Sequence, residues 1–122
     1  MPGGLTIVLL TEDAERFRGA LMVAMTHRAM GGAARLFLQL DAVRMIAPPV
    51  TAPRDEDHRR SGFPPLATLL GEALDDGTAI IACQSGLALA GLAAADLDQR
   101  IATGGLTSFL AETDPTDRLV MI

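Results

Sequence analysis

The 122-residue chain contains no Lys, no Trp and no Tyr, and it has one Cys. A single Cys excludes an internal disulfide and a zinc site built from several cysteines, and it fits a reducing compartment. The ten basic residues, all Arg, face fifteen acidic ones, which gives a net charge of −5. Without a basic face or aromatic stacking surfaces, we expect no nucleic-acid partner.

Long apolar runs are also absent. The longest nearly apolar run, from Gly86 to Ala95, has ten residues, whereas a membrane-spanning helix needs about 20. The run Leu5–Leu10 has no basic region before it and no cleavage site after it, so we expect a strand there and not a signal peptide. We therefore expect a cytoplasmic protein with no membrane partner. The composition, 49% hydrophobic and 20% charged, is that of a single globular domain over residues 1–122.

Short apolar runs alternate with amphipathic segments along the chain. Runs that are apolar on both faces belong to sheets covered by helices, so the pattern predicts an α/β fold. We expect a three-layer α/β/α sandwich with a mainly parallel sheet of four or five strands. The predicted strands are Leu5–Leu10, Arg35–Leu40, Thr78–Cys83 and Arg118–Ile122, with a fifth near Arg100–Thr103. Helices are predicted from an N-cap at Thr11 to about Met30, from the Pro64-Pro65 pair to Asp75, and from about Ser85 through Leu92. A further helix follows Gly104-Gly105 and runs through Glu112, and Asp41–Ile46 could form a helical turn.

The segment 48–62 interrupts this pattern. It contains three prolines and a dense run of charges, and Val50 is its only large apolar residue. Prolines deny regular hydrogen bonding and the charges favour water. We predict one exposed loop that is either mobile or held only by a neighbouring subunit.

Chemistry in an open parallel sheet is expected beyond the carboxyl ends of the strands. Cys83 ends a predicted strand there, and a helix follows it. A thiol at a helix N-terminus faces unpaired backbone N–H groups and the positive end of the helix dipole, which stabilise a thiolate, an oxyanion or a persulfide anion. The alternative, a buried Cys that only fills space, stays open at this point.

Further polar residues are predicted to lie at the same edge of the sheet. Ser85 fits an N-cap better than a nucleophile, because the G-x-S-x-G pattern is absent. Glu12 and Asp13 could serve as a general base or a magnesium ligand, although charges that cap a helix N-terminus are the simpler interpretation. His58 could swing over a site, but a solvated loop residue is the simpler interpretation. Since no two His or Cys residues have ligand spacing, we predict no metal, and no glycine-rich nucleotide motif indicates a cofactor.

Two stretches of the chain resemble the DsrE/DsrF-like family. They are Thr78–Gly91, TAIIACQSGLALAG, and Asp96–Leu110, DLDQRIATGGLTSFL. In that family a strand ends in Ala-Cys, a short helix follows, and a Gly-Gly pair precedes the next helix. Members often carry a Ser three residues after the Cys, whereas this chain has Gly86 there and its Ser at position 85.

The resemblance implies an α/β domain that assembles as homotrimers or homohexamers and takes part in sulfur relay. Cys83 would be the catalytic residue and would carry a persulfide between donor and acceptor proteins, in the manner of a sulfurtransferase without a cofactor. Some family members lack the Cys, so a second hypothesis is a non-enzymatic, oligomeric binding or regulatory module. In either case we expect a small anionic ligand or substrate to bind beside Cys83. The candidate binding residues are Gln84, Ser85, Gly86, Thr11 and Glu12.

Overall fold

The structure, a computed structural model, describes residues 3–122. Its strands are β1 (Leu5–Leu9), β2 (Ala34–Leu38), β3 (Ala79–Cys83), β4 (Ala102–Gly104) and β5 (Arg118–Met121). Its α-helices are α1 (Ala14–Ala29), α2 (Asp55–Arg60), α3 (Leu66–Asp75), α4 (Gln84–Ala90) and α5 (Leu106–Ala111). Short 3-10 helices cover Leu40–Ile46 and Ala94–Asp96. Within residues 3–122, no helix has both the length and the apolar character to cross a membrane.

The five strands form one parallel sheet in the order β4-β3-β2-β1-β5. The predicted α/β fold is therefore confirmed, and the fifth strand predicted near Arg100–Thr103 is β4. All five residues of β1 are buried, because the strand has a neighbour on each side and helices above and below it. The continuous apolar run at the start of the chain is the sequence signature of that position.

Helices cover both faces of the sheet. Leu5 and Val120 line a groove together with residues of α1, which packs on α3, so these two helices share one face. On the opposite face the Phe109 ring of α5 lies 4.9 Å from the Phe37 ring, and the Arg35 guanidinium lies 4.2 Å from the centre of Phe109. Strands β2, β3 and β4 are added one after another on the same side of β1. The chain then crosses the sheet, and β5 pairs with the other side of β1. Right-handed crossovers place α5 alone on the second face.

The predicted N-cap of α1 at Thr11 is wrong by two residues. Asp13 caps the helix, because its carboxylate accepts the Arg16 N–H at 3.0 Å. Thr11 instead accepts the Asp13 N–H through its hydroxyl at 3.1 Å. The two side chains therefore act in succession, and Thr11 orders the turn that brings Asp13 to the cap position.

The prediction that segment 48–62 is a single loop with no anchor in its own chain is also wrong. Helix α2 lies within it, and ion pairs three residues apart on the exposed surface support this helix, such as Arg54 with Asp57 at 3.2 Å. Asp55 fastens the segment to the domain by accepting the Leu66 N–H and an Arg18 N–H, both at 2.8 Å. Most of the segment is exposed, as expected, and its mobility stays a prediction.

Candidate functional site

Cys83 is both the last residue of β3 and the N-cap of α4. Its Sγ accepts the backbone N–H of Gly86 at 3.4 Å, and the residue is 5% exposed. The prediction that Ser85 is the N-cap is therefore wrong, because Ser85 lies inside the first helical turn. A residue with extended backbone can cap a helix when its side chain accepts the free N–H of the residue three positions later. Cys83 has this backbone conformation, and its sulfur is the acceptor. Gln84 and Ser85 are exposed beside the thiol.

Gly86 packs directly on the backbone of Leu40, just beyond the end of β2. A Cβ at position 86 would collide with the Leu40 carbonyl oxygen. Leu40 itself has φ +52°, a left-handed conformation that residues with side chains seldom adopt. A side chain at position 86 therefore does not fit unless the turn shifts. We refer to residues 83–86 as the Cys83 turn.

The structure does not bring Thr11 and Glu12 to the Cys83 turn. Strand β2 separates the ends of β1 and β3, and two strand spacings amount to about 10 Å. Glu12 instead lines a cleft of about 330 Å³ with Asp13, Glu15, Pro53 and Arg54. The predicted anion-binding set therefore divides into two parts. Gln84, Ser85 and Gly86 lie beside the thiol, whereas Thr11 and Glu12 lie in the turn before α1, where Glu12 faces segment 48–62.

Sequence reasoning missed a group of charges around a buried arginine next to that cleft. Arg18 of α1 is only 3% exposed, and each of its three guanidinium nitrogens donates a hydrogen bond. The acceptors are Glu15 at 3.2 Å, the Pro64 carbonyl at 2.7 Å and Asp55 at 2.8 Å. We call Glu15, Arg18, Asp55 and His58 the Arg18 cluster. All three guanidinium nitrogens of Arg18 donate hydrogen bonds within its own chain. The cluster therefore fixes segment 48–62 to α1.

Hydrogen bonding sets the charge state of the cluster's carboxylates. His58 Nε2 lies 2.8 Å from Glu15 Oε1, and this hydrogen bond lowers the pKa of Glu15 against the opposing effect of burial. Burial is the largest single effect on Asp55 and acts to raise its pKa. The N–H groups of Leu66 and Ala52, together with Arg18, outweigh it, so the pKa of Asp55 is lowered. His58 is thus tied to α1 and does not reach the Cys83 turn.

A sequence signal for the cluster did exist. Arg18 directly follows the buried Phe17 and precedes the buried Leu21 by three positions, so helical spacing places it on the apolar face of α1. A charged residue on such a face needs a partner, because an unpaired buried charge is costly.

Within residues 3–122, no group of three or more His, Cys, Asp or Glu side chains is arranged to hold a metal ion.

Fold and site together define a class: a small three-layer α/β domain with a cysteine where an inner parallel strand meets a short helix. No protein-family model matches the chain, and no curated protein matches it. The chain is similar in structure to MTH1491, a protein of unknown function from Methanobacterium thermoautotrophicum, with a TM-score of 0.63. That match covers 100% of both chains at 11% identity, so it shows a shared fold and no more.

Proposed function

We propose that the protein is a sulfur carrier of the DsrE/DsrF-like kind, with Cys83 as the residue that carries the persulfide. The observation behind the proposal is the hydrogen bond from the Gly86 N–H to the Cys83 sulfur in the first turn of α4. A donor aimed at sulfur stabilises the thiolate that must attack. The same N–H donor also stabilises the negatively charged persulfide that forms on Cys83. The exposed Gln84 and Ser85 are the residues that a sulfur donor would meet first.

The proposed reaction consists of two exchange steps. The Cys83 thiolate attacks the outer sulfur of a donor persulfide, the donor's S–S bond breaks, and the donor leaves as a thiolate. Cys83 then carries that sulfur as a persulfide. A thiolate of an acceptor protein attacks the same outer sulfur and regenerates the Cys83 thiolate. No net oxidation takes place, so the chemistry requires no cofactor.

Mass spectrometry of the intact protein tests the proposal. After incubation of the folded protein with inorganic polysulfide, we expect a gain of about 32 Da, the mass of one sulfur atom. The adduct should be absent from Cys83→Ser and should disappear when a small acceptor thiol is added. If the adduct forms only after unfolding in urea, Cys83 is a core residue and the carrier proposal fails.

The second candidate function is an oligomeric binding module, and a different observation favours it. Large apolar side chains are exposed along α1 and β5: Met22, Val23, Met30, Leu119 and Met121. Apolar surface of this kind marks interaction sites. For both candidates we propose a cytoplasmic homotrimer or homohexamer, and light scattering should then give three or six times the 12.8 kDa chain mass. A binding module would keep its partners after Cys83→Ser, whereas a carrier would lose its function.

A further inference from the structure

Strand β5 leaves one of its two hydrogen-bonding sides without a partner in the described residues. It forms an edge of the sheet and pairs with β1 only, through bonds such as Arg118 N–H to Gly4 C=O and Ile122 N–H to Val8 C=O, each 2.9 Å long. Backbone groups alternate in direction along a strand, so Leu119 and Met121 direct their N–H and C=O groups away from β1. These are strong donors and acceptors that another strand could satisfy.

The side chains of β5 do not protect this edge. Leu119 is 51% and Met121 61% exposed on one face of the sheet. Val120 points to the other face, into a groove of about 430 Å³ that Met22 and Val23 of α1 also line. Proteins usually guard an edge with Lys, Pro or a bulge, and β5 has none of these. The opposite edge, β4, has only Ala, Thr and Gly, so the apolar edge lies on the β5 side.

We propose that two copies of this chain join through antiparallel pairing of β5, with a two-fold axis at Val120. Leu119 then lies opposite the partner's Met121, and Met121 lies opposite the partner's Leu119. In each of these pairs the outward backbone groups face one another and form two hydrogen bonds. Val120 meets the partner's Val120 on the axis. The strand is thus complementary to itself, and the two sheets become one continuous sheet.

The backbone of the strand selects the antiparallel arrangement. In a parallel ladder each residue bonds to the two neighbours of the residue opposite it, so two copies of β5 in parallel register would not bring the outward groups of Leu119 and Met121 together. Arg118 is the only charged residue of β5, and the Arg118 side chains of two copies would repel each other if they lay directly opposite. Antiparallel pairing about Val120 separates them by four residues of strand, about 13 Å. A two-fold axis also closes this contact after two strands, whereas head-to-tail pairing would leave an edge open for further addition.

Cysteine cross-linking tests the position of the axis. Val120 and the partner's Val120 form a pair without mutual hydrogen bonds, whose Cα atoms lie about 4.5 Å apart, within reach of a disulfide. In a Cys83→Ser background, Val120→Cys should therefore oxidise rapidly to a covalent dimer. The matched control is Leu89→Cys in the same background, because Leu89 is 69% exposed on α4, away from the edge. Equal rates for the two variants would refute the proposed axis.

A proline substitution tests the backbone pairing. Leu119→Pro removes an N–H that points away from β1, so the pairing of β1 with β5 stays intact. By analytical ultracentrifugation at micromolar concentration we expect the wild type to have twice the mass of Leu119→Pro, which makes the wild type a hexamer of 12.8 kDa chains when the unit that remains is the proposed homotrimer. The dissociation constant should rise at least about tenfold in Leu119→Pro, while Leu119→Thr, which keeps the N–H, should change it less. Circular dichroism and sulfur loading of Cys83 should not change, which separates this proposal from the carrier function.

Two results of the ultracentrifugation would overturn the proposal. The first is a wild-type protein that stays monomeric, since the β5 edge would then belong to a strand of another protein or to none. The second is a trimer whose mass Leu119→Pro does not change. A hexamer that Leu119→Pro splits into trimers would support the proposal, because it contains this two-fold interface.

Discussion

The Cys83 turn and the Arg18 cluster hold their shapes in opposite ways. The turn has one hydrogen bond to sulfur, and its position depends on the absence of a side chain at Gly86. The cluster depends on charge, because three donors of Arg18 meet two carboxylates and a carbonyl oxygen. A change in size should therefore damage the first region, and a change in charge or pH should damage the second.

Removing the charge of Arg18 should have the largest effect on stability. In Arg18→Met, Asp55 is left in a mostly buried place without its ion-pair partner, and the Pro64 carbonyl loses its donor. Breaking a buried pair from one side costs about 3–5 kcal/mol. Urea unfolding should measure a loss of that order in the free energy of unfolding.

Arg54→Met is the matched control for this loss. Arg54 makes ion pairs with Asp57 and Glu15 but is 59% exposed, and exposed pairs contribute about 0–1 kcal/mol. Trypsin should also cut Arg18→Met faster than the wild type after the exposed Arg59 and Arg60, because segment 48–62 loses its anchor. Equal losses of stability in Arg18→Met and Arg54→Met would contradict the role assigned to the cluster.

A methyl group at Gly86 should have the next largest effect. Its Cβ would meet the rigid Leu40 backbone, so the turn must shift, and overpacking of this kind costs about 1–3 kcal/mol. Gly71→Ala is the control within the same fold, since a Cβ there meets nothing within 4 Å inside α3. That variant should gain up to about 1 kcal/mol from helix propensity. Thermal unfolding of both variants decides whether space at Gly86 is the cause.

Acid should weaken the Arg18 cluster. The folded pKa of Asp55 is lowered, so its contribution to stability is complete above the unfolded value, about 3.9. That contribution is lost as the pH falls through the folded pKa. Unfolding in urea at a series of pH values below about 5 should show a steeper loss for the wild type than for Asp55→Asn. Parallel curves would show that Asp55 does not couple folding to protonation.

Replacing the sulfur of Cys83 should have the smallest effect. In Cys83→Ser a hydroxyl oxygen takes the place of Sγ and can also accept the Gly86 N–H, so stability should stay within about 1 kcal/mol of the wild type. Cys83→Ala has no acceptor and should be about 1 kcal/mol less stable than Cys83→Ser. Guanidinium unfolding of the two variants provides the measurement. A reversed order would mean that the thiol contributes through packing alone.

The local pattern of the sequence was enough to locate most elements of the fold. The predicted strand Leu5–Leu10 differs from β1 by one residue, because an apolar run between polar turns has only one good register in a covered sheet. Helix α2 was missed, since its charged residues and nearby prolines are typical of a loop. Its fixed position depends on Arg18, which lies 37 positions from Asp55 in the chain. A single sequence does not display such a long-range pairing.

The candidate site was only partly predictable for a similar reason. The placement of Cys83 at a strand end followed from the run TAIIAC, and the structure has it there. Which strand ends are neighbours depends on the strand order, and β2 lies between β1 and β3. Thr11 and Glu12 therefore lie apart from the thiol, although all three follow strand ends. The close fit of Gly86 on Leu40 depends on backbone geometry that residue types alone do not encode.

The pairing of the first strand with the last has a consequence for how the protein is made. Gly4 donates its N–H to the Asp117 carboxylate across 113 positions of the chain, and β5 covers a side of β1 that nothing else covers in residues 3–122. At ribosomal speed those positions take on the order of 10 s to synthesise. During that interval one hydrogen-bonding side of the apolar β1 has no partner strand on the nascent chain. We therefore expect chaperones to contact residues 5–9 early in synthesis. A circular permutant that places β5 directly before β1 would shorten the time during which β1 lacks this partner.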